Sequence, residues 1–560
     1  MNQTKRSLFP SLIALGLFLS TLGKIDAIKL ALLVNIFILL LGGLILYALC
    51  LFNFPRNIFA TVGSAFSRLG RIPEYQFLGI SALFFFMLCY YLSGKLFNHL
   101  PVEMDSMAQY AGSKIFLSGH WTLASHPLRE FFNTPWFIND GRFYTFYPPG
   151  HMFLLAIGQL LNQPAIINPL LGALTLITSY YLAKEIAGGF AARITIFLFI
   201  LSPFIFFLSS EFDNRSTALL AATLFALFYI RTVKKCDTGN ALIAGFSLGY
   251  YLVTRPQSAL FFVLPFLIYS IWILFSQFRK RFKSMAFLGA TVLAFLLFFL
   301  YYNEQTTGSA FLTGYQKYFG NQVIPGEDLL SNDSITNWQK QITRIVEYMK
   351  LLHTQLFGWP MSSLLLAFLL FFLQIEKPWC RLLAASFFSV YFSLILSEYT
   401  YDIFGPRYLY EIASIIIVLS AICLSRIPAL FRKRFNSRLS LNEWRGIIAF
   451  SLGLLTVNTL LIVIPERYKL YGTNYRQSNK QLLENITNKT LKPAVVLLGD
   501  EDDQLATIFM QPWFDTNPVI IAQDRGKEND RIIRYYPHRH IYVLKGNEFV
   551  QINPARFHPE

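Results

Sequence analysis

Apolar runs of about 15 to 25 residues recur along most of this chain, and that repetition limits the fold more than any single motif does. About 20 apolar residues in a helix cross a hydrocarbon core about 30 Å thick. Inside that core every backbone N–H and C=O must find a partner within the segment, so runs of this length read as helices. Of the 560 residues 54% are hydrophobic, only 14% are charged, and 56 are Phe. The chain therefore reads as an all-α polytopic membrane protein.

The net charge of +16 raises the question of a nucleic-acid partner, but its distribution points to topology. Lys and Arg gather in alternate segments between the apolar runs, where they outnumber Asp and Glu several-fold, as the positive-inside rule expects. The expected partner is the lipid bilayer and no nucleic acid. The five cysteines (Cys50, Cys89, Cys236, Cys380 and Cys423) fall in apolar runs or segments placed in the cytoplasm, without metal-site spacing. Neither disulfides nor a cysteine metal site is expected.

Following the charge parity along the chain predicts about 13 transmembrane helices. They fall near 8–22, 28–52, 77–97, 165–183, 190–208, 216–231, 240–254, 257–277, 284–302, 360–375, 382–398, 411–425 and 446–464. This arrangement places the chain in the inner or plasma membrane with a cytoplasmic N-terminus and an extracytoplasmic C-terminus. Residues 150–161 are apolar, but as helix they reach only about 18 Å, so they are expected at the interface or as a re-entrant segment. Pro148 and Pro149 suit such a break.

Three regions follow. Residues 1–76 form a helical hairpin and a cytoplasmic loop. Residues 77–465 form a transmembrane domain with outer loops 99–151 and 303–358. Residues 466–560 form a small extracytoplasmic α/β cap, with short buried strands near 493–498, 517–521 and 541–544. The acidic run Asp500-Glu501-Asp502-Asp503 reads as a solvated turn rather than a cation site.

The loop 99–151 concentrates the polar chemistry. Glu103 and Asp105 lie just beyond a span, where a carboxylate can act as general base toward a hydroxyl within hydrogen-bond reach. Alternate residues share a face if the segment is extended. Alternatively, Asp105 N-caps a helix from about Ser106 to Leu117. Lys114 can reach an anionic group or simply snorkel.

Arg255 and Arg407 each adjoin a proline at the outer end of a span, where topology disfavours positive charge. Guanidinium groups there suit a phosphate, or else an ion pair with Glu211, Asp213 or Glu411. Asp213 could supply a second carboxylate, pair with an arginine or help hold a metal. His99, His126 and His151 lack tight metal spacing and read as polar lining. The sequence has no P-loop and no Gly-rich nucleotide loop, which argues against a cytoplasmic nucleotide-sugar donor.

The outer loop also carries Asp105-Ser106, Gly112-Ser113-Lys114 and Gly141-Arg142-Phe143-Tyr144-Thr145-Phe146-Tyr147-Pro148-Pro149-Gly150. Further along stand Leu201-Ser202-Pro203-Phe204, Arg255-Pro256, Asn303 with Thr307-Gly308-Ser309, and Gly405-Pro406-Arg407-Tyr408. Together these resemble the GT-C superfamily of polyprenyl-phosphate-sugar-dependent glycosyltransferases over roughly residues 77–425. Within it the chain is similar to family 39 protein O-mannosyltransferase relatives and to aminoarabinose transferases of lipid A. The resemblance implies transfer of a sugar, with inversion, from a polyprenyl-phosphate donor to a hydroxyl of a glycan, lipid or protein acceptor on the extracytoplasmic face.

It further implies Asp105 as catalytic base, with Lys114, Arg255 or Arg407 steadying the departing phosphate, and Tyr147, His151 and Asp213 lining the substrate site. Ser106 stands where relatives often have Glu. That departure leaves Glu103 as a substitute for the second acid and weakens a metal site that needed the pair. No cofactor is assigned; a divalent cation stays open, with its ligands unknown. A glycan polymerase or ligase is the alternative reading. A lipid-linked sugar transporter ranks below it, because no internal repeat is evident.

Overall fold

The fold was obtained as a computed structural model. It describes residues 56–68, 72–320, 334–359, 361–396, 404–434, 440–475, 493–499, 512–545 and 548–552. The expected spans at 8–22 and 28–52, and the Asp500–Asp503 run, lie outside the described residues.

Among the described residues six helical stretches are long and apolar enough to cross a membrane. They are Glu74–Phe97, Pro164–Ala187, Arg215–Lys235, Pro256–Thr307, Arg407–Lys433 and Leu441–Gly472. The 52-residue stretch Pro256–Thr307 is two helices meeting at Gln277, whose φ of −143° and ψ of 45° are not helical. The basic residues Arg279 to Lys283 follow that turn directly.

Other expected spans are helices shorter than these six: Thr238–Leu252 has 15 residues, Leu365–Phe372 has 8 and Pro378–Ser393 has 16. The run 190–208 is divided. One helix ends at Ile200, and another starts at Pro203 with Ser202 as N-cap, its side chain accepting from the Ile205 amide at 3.3 Å. Proline has no amide to continue the first helix and is well placed to begin the second.

The Leu441–Asn458 helix continues through a π-turn at Thr459–Val463 into Ile464–Tyr475, beyond the division drawn at residue 465. The Arg56–Arg68 helix, placed in a cytoplasmic loop, packs tightly against Leu441–Asn458. A Cβ on Gly63 would overlap the Asn442 carbonyl, and one on Gly446 the Phe59 carbonyl. Small residues here let the two backbones approach closely.

The two ends of the bundle differ in chemistry. At one end of Arg215–Lys235, Lys234 pairs with Glu185 at 2.8 Å and Arg231 with the same carboxylate at 3.4 Å. At the other end, about 30 Å away by helical rise, Arg215 enters a cluster of carboxylates.

The segment that follows Glu74–Phe97 folds as the helix Met104–Leu117, a three-stranded antiparallel sheet and the helix Pro149–Leu160. The sheet runs in the order β1 (Leu123–Ala124), β3 (Arg142–Thr145), β2 (Phe137–Asn139). Toward the C-terminus, β4 (Ala494–Leu498), β5 (Val519–Gln523), β6 (His540–Lys545) and β7 (Glu548–Ile552) form a second sheet in the order β5-β4-β6-β7. Its first three strands are parallel and β7 is antiparallel. Phe131 and Phe132 of the outer loop sit in the same core as Val495, Leu497, Ile520 and Ile532, so the loop and the second sheet share apolar packing.

Candidate active site

Asp105 lies in the first turn of Met104–Leu117 and does not N-cap it. That position belongs to Glu103, whose extended backbone (φ −96°, ψ 149°) precedes the helix and whose amide donates to Ser106 Oγ at 3.2 Å. An extended cap followed by a helical turn turns both carboxylates toward the same cations. Arg407 forms an ion pair with Glu103 and stands 3.7 Å from Asp105 Oδ2. Arg215 pairs with Asp213 and lies 3.8 Å from Glu103 and 3.7 Å from Asp105 Oδ2.

The other oxygen, Asp105 Oδ1, accepts a hydrogen bond from the Trp136 indole at 3.0 Å, and Tyr147 also donates to this carboxylate. Burial by itself raises the Asp105 pKa. The charges of Arg407 and Arg215 and the bonds from Tyr147 and Trp136 more than reverse that, and hold it below the ordinary carboxylate value. Asp105 is also the most accessible of the three acids, with 18% of its side chain exposed against 8% for Glu103 and 9% for Asp213.

A second layer fixes this one. Arg255 pairs with Glu411 at 3.1 Å and donates to Asn214 Oδ1 at 3.2 Å, so of the ion-pair partners considered for it, Glu411 is the one the fold provides. The guanidinium carbons of Arg215, Arg255 and Arg407 lie 4.8, 5.5 and 5.5 Å from the centre of the Tyr408 ring. One aromatic ring thus gathers three cations. Ser106 donates to Glu211 Oε1 at 2.6 Å, and the Val102 amide donates to the same oxygen at 3.3 Å. Burial raises the Glu211 pKa, and the bonds from Ser106, Val102 and Phe212, with the Arg215 charge, offset it only in part. Ser106 therefore serves as a donor to a carboxylate from another loop.

Gly150 explains the Pro-Pro-Gly sequence. Its amide donates to the Val253 carbonyl at 2.8 Å, and its own carbonyl accepts from Tyr250 at 2.7 Å. A Cβ would overlap Thr254 Oγ1 and come within 2.9 Å of the Val253 carbonyl oxygen. The helix Pro149–Leu160 thus abuts the turn that carries Arg255.

Not every expected residue joins the cluster. His151 is buried between the Phe212 carbonyl, 2.7 Å from Nε2, and Thr217 Oγ1, 2.8 Å from Nδ1. Burial lowers its pKa to about 4, so it ties Pro149–Leu160 to the Arg215 helix as a neutral ring. Lys114 is nine residues, about 13 Å of helix, from Asp105, and its Nζ lies 5.0 Å from the Tyr110 ring centre. His99 stacks on Tyr90 at 4.6 Å, and His126 packs against the C-terminal sheet residues.

Arg215, Trp136 and Tyr408 are site residues that sequence reasoning passed over. Arg215 carried the signal used for Arg255 and Arg407, a cation at the outer end of a span. Tyr408 stood in the Gly405-Pro406-Arg407-Tyr408 match without being given a role, and Trp136 had no signal, since aromatics abound in this chain. The donor set does not fit a divalent cation. Glu103, Asp105 and Asp213 face two guanidinium groups, and among the described residues no group of three or more His, Cys, Asp or Glu is placed to hold a metal ion.

A profile of the dolichyl-phosphate-mannose-protein mannosyltransferase family matches residues 147–302. That range includes Tyr147, Asp213, Arg215 and Arg255 but not Asp105 or Arg407. No curated protein sequence matches the chain. Among solved structures, it resembles ArnT from Cupriavidus metallidurans bound to undecaprenyl phosphate at 12% identity and a TM-score of 0.50, covering 84% of this chain and 93% of that one. It also resembles the apo oligosaccharyltransferase of Archaeoglobus fulgidus at 15% identity and a TM-score of 0.50, covering 84% and 70%. The likeness to GT-C glycosyltransferases read from the outer loop thus holds in fold over most of the chain and in sequence over residues 147–302.

Proposed function

We propose that a chain with this fold transfers a sugar from a polyprenyl-phosphate-linked donor to an acceptor hydroxyl at the extracytoplasmic membrane face, with inversion and with Asp105 as base. The observation that carries the reading is the Asp105 carboxylate itself. It is hydrogen-bonded by Trp136 and Tyr147, flanked by Arg215 and Arg407, and close to the outer end of a span. The binding of undecaprenyl phosphate by the similar ArnT supports a lipid-phosphate donor.

In this scheme the acceptor O–H gives its proton to Asp105 as its oxygen attacks the anomeric carbon from the side opposite the phosphate. The bond from that carbon to the phosphate oxygen breaks, and polyprenyl phosphate leaves with the electron pair. A carboxylate with a lowered pKa is a weak base. The scheme therefore assigns it chiefly to orienting the hydroxyl, with much of the acceleration coming from positioning and from cationic stabilisation of the leaving group. Arg407 and Arg255, now held by Glu103 and Glu411, are the groups assigned to the phosphate, which would replace those carboxylates as their partner. Asp213 anchors Arg215, and Glu103 substitutes for the second acid. Lys114 is assigned to the donor further from the reacting centre.

The same proposal puts the N-terminus in the cytoplasm, about thirteen spans in the membrane, and the C-terminal sheet outside as an α/β cap over the first outer loop. The test has two stages. Mass spectrometry of surface glycans and glycoproteins, with and without the protein, identifies the product. Asp105→Asn is then expected to lower its formation about 100-fold or more while the protein stays folded and inserted. Wild-type product formation in that variant removes Asp105 from the role of base.

A further inference from the structure

The segment from His126 to Trp136 joins the C-terminal sheet to the catalytic carboxylate. At one end His126 Nε2 meets the Tyr536 hydroxyl at 2.9 Å, and Phe131 and Phe132 are fully or nearly fully buried in the core shared with β4 and β5. Gln523, at the end of β5, donates its amide to the Asn133 carbonyl at 2.8 Å, and Arg531 pairs with Glu130 at 2.5 Å. At the other end Trp136 donates its indole N–H to Asp105. Only Asn133, Thr134 and Pro135 lie between Phe132 and Trp136, about 14 Å at full extension. Displacement of the sheet therefore has only three residues in which to be taken up before it reaches the indole.

Trp136 is itself held in an unfavourable backbone state. Its φ is +65°, a conformation unfavourable for a bulky L residue that persists only where the surroundings impose it. Its amide donates to the Tyr318 hydroxyl at 3.0 Å, and its carbonyl accepts from Thr145 Oγ1 at 3.2 Å. Residues from both outer loops thus fix the backbone that aims the indole.

We infer that Trp136 is a positioning residue for Asp105, and that the segment His126–Trp136 is a strap through which docking of the C-terminal sheet sets the orientation of that carboxylate. The inference rests on the reading of Asp105 as base. The sheet then contributes to turnover as well as covering the outer face. A partner that moves it would alter the rate without touching the reacting atoms.

The test uses the full-length protein in isolated membranes, which hold their own donor and acceptor, with product measured across pH. Trp136→Phe keeps an aromatic ring but removes the N–H. Losing a hydrogen bond to a charged group is expected to lower turnover about tenfold or more. Because that bond favours the ionised form of Asp105, the acid limb of the pH profile should also move to higher pH. Gln523→Ala, at a half-buried site on the sheet, should shift the same limb in the same direction and speed hydrogen exchange across residues 126–136.

A merely structural tryptophan would leave the position of the acid limb unchanged. If Asp105→Asn is inactive while Trp136→Phe and Gln523→Ala keep the wild-type rate and acid limb, the strap is overturned and the base assignment stands. If Asp105→Asn retains wild-type transfer, the base assignment fails and the strap fails with it.

Discussion

Arg215 is the residue on which the cluster's electrostatics depend. With 2% of its side chain exposed it contacts Asp213, Glu103 and Asp105 at once. Removing a buried partner strands the opposite charges, at a cost of about 3–5 kcal/mol, more than replacing a whole ion pair by apolar groups. Arg215→Ala is therefore expected to lower the thermal melting temperature of the detergent-solubilised protein by several degrees and to abolish transfer. An unchanged melting temperature would show that the three carboxylates tolerate one another's charge without it. At this scale the sequence singled out Glu103, Asp105, Asp213, Arg255 and Arg407, and the fold brings them to one outer end of the bundle. It could not separate Asp105 from Glu103, because which acid is more exposed depends on Trp136 and Arg215, 31 and 110 residues away.

The most informative element is Pro149–Leu160. Its 12 residues are too few to cross a membrane, yet it is apolar and tightly packed. His151 locks it to the Arg215 helix, and Gly150 sets it against the turn that presents Arg255. Gly150→Ala should displace Thr254 Oγ1 and push back the Val253–Arg255 turn. The expected result is a stability loss of about 1–3 kcal/mol together with weakened donor use. Thermal melting and product formation at limiting donor measure the two; a variant that matches wild type in both would show that the turn yields freely. The shortness of this element was legible from residue counts alone. The role of His151 was not, because a histidine in a polar loop can serve as lining, ligand or buried strut, and only the Phe212 carbonyl and the Thr217 hydroxyl decide between them.

Across the whole molecule, the second sheet and the first outer loop meet at His126, which is 2% exposed. The Leu128 amide donates to His126 Nδ1 at 2.9 Å, so Nε2 carries the proton toward Tyr536, whose hydroxyl donates to Asp515 at 3.1 Å. Burial lowers the His126 pKa below its ordinary value of 6.5, while Asp515 and Glu130 oppose that shift. Arg531, paired with Glu130, and Arg539, against the Tyr536 ring, are the facing cations. With the docked pKa depressed, docking is favoured above the undocked value and is lost as pH falls through the docked one. Limited proteolysis of the segment 493–552 should therefore quicken between about pH 7 and pH 5, and His126→Phe should flatten that dependence. Equal cleavage at both pH values in the wild type would remove His126 from control of docking.

Taken alone, the sequence determined that this chain is a helical membrane protein, which ends of its helices carry charge, and which loop concentrates polar residues. Those properties follow from composition and from periods of a few residues, and the cost of burying polar backbone or charge in lipid makes them local. It also marked three runs where β4, β5 and β6 form, because short apolar segments between polar ones can be read in place. Only the tertiary structure decided that Arg215 contacts three acids, that Ser106 serves Glu211, and that Trp136 links the C-terminal sheet to Asp105. Each depends on groups far apart in the chain reaching within about 4 Å of one another, the range over which hydrogen bonds and buried charges act. No local pattern encodes that distance.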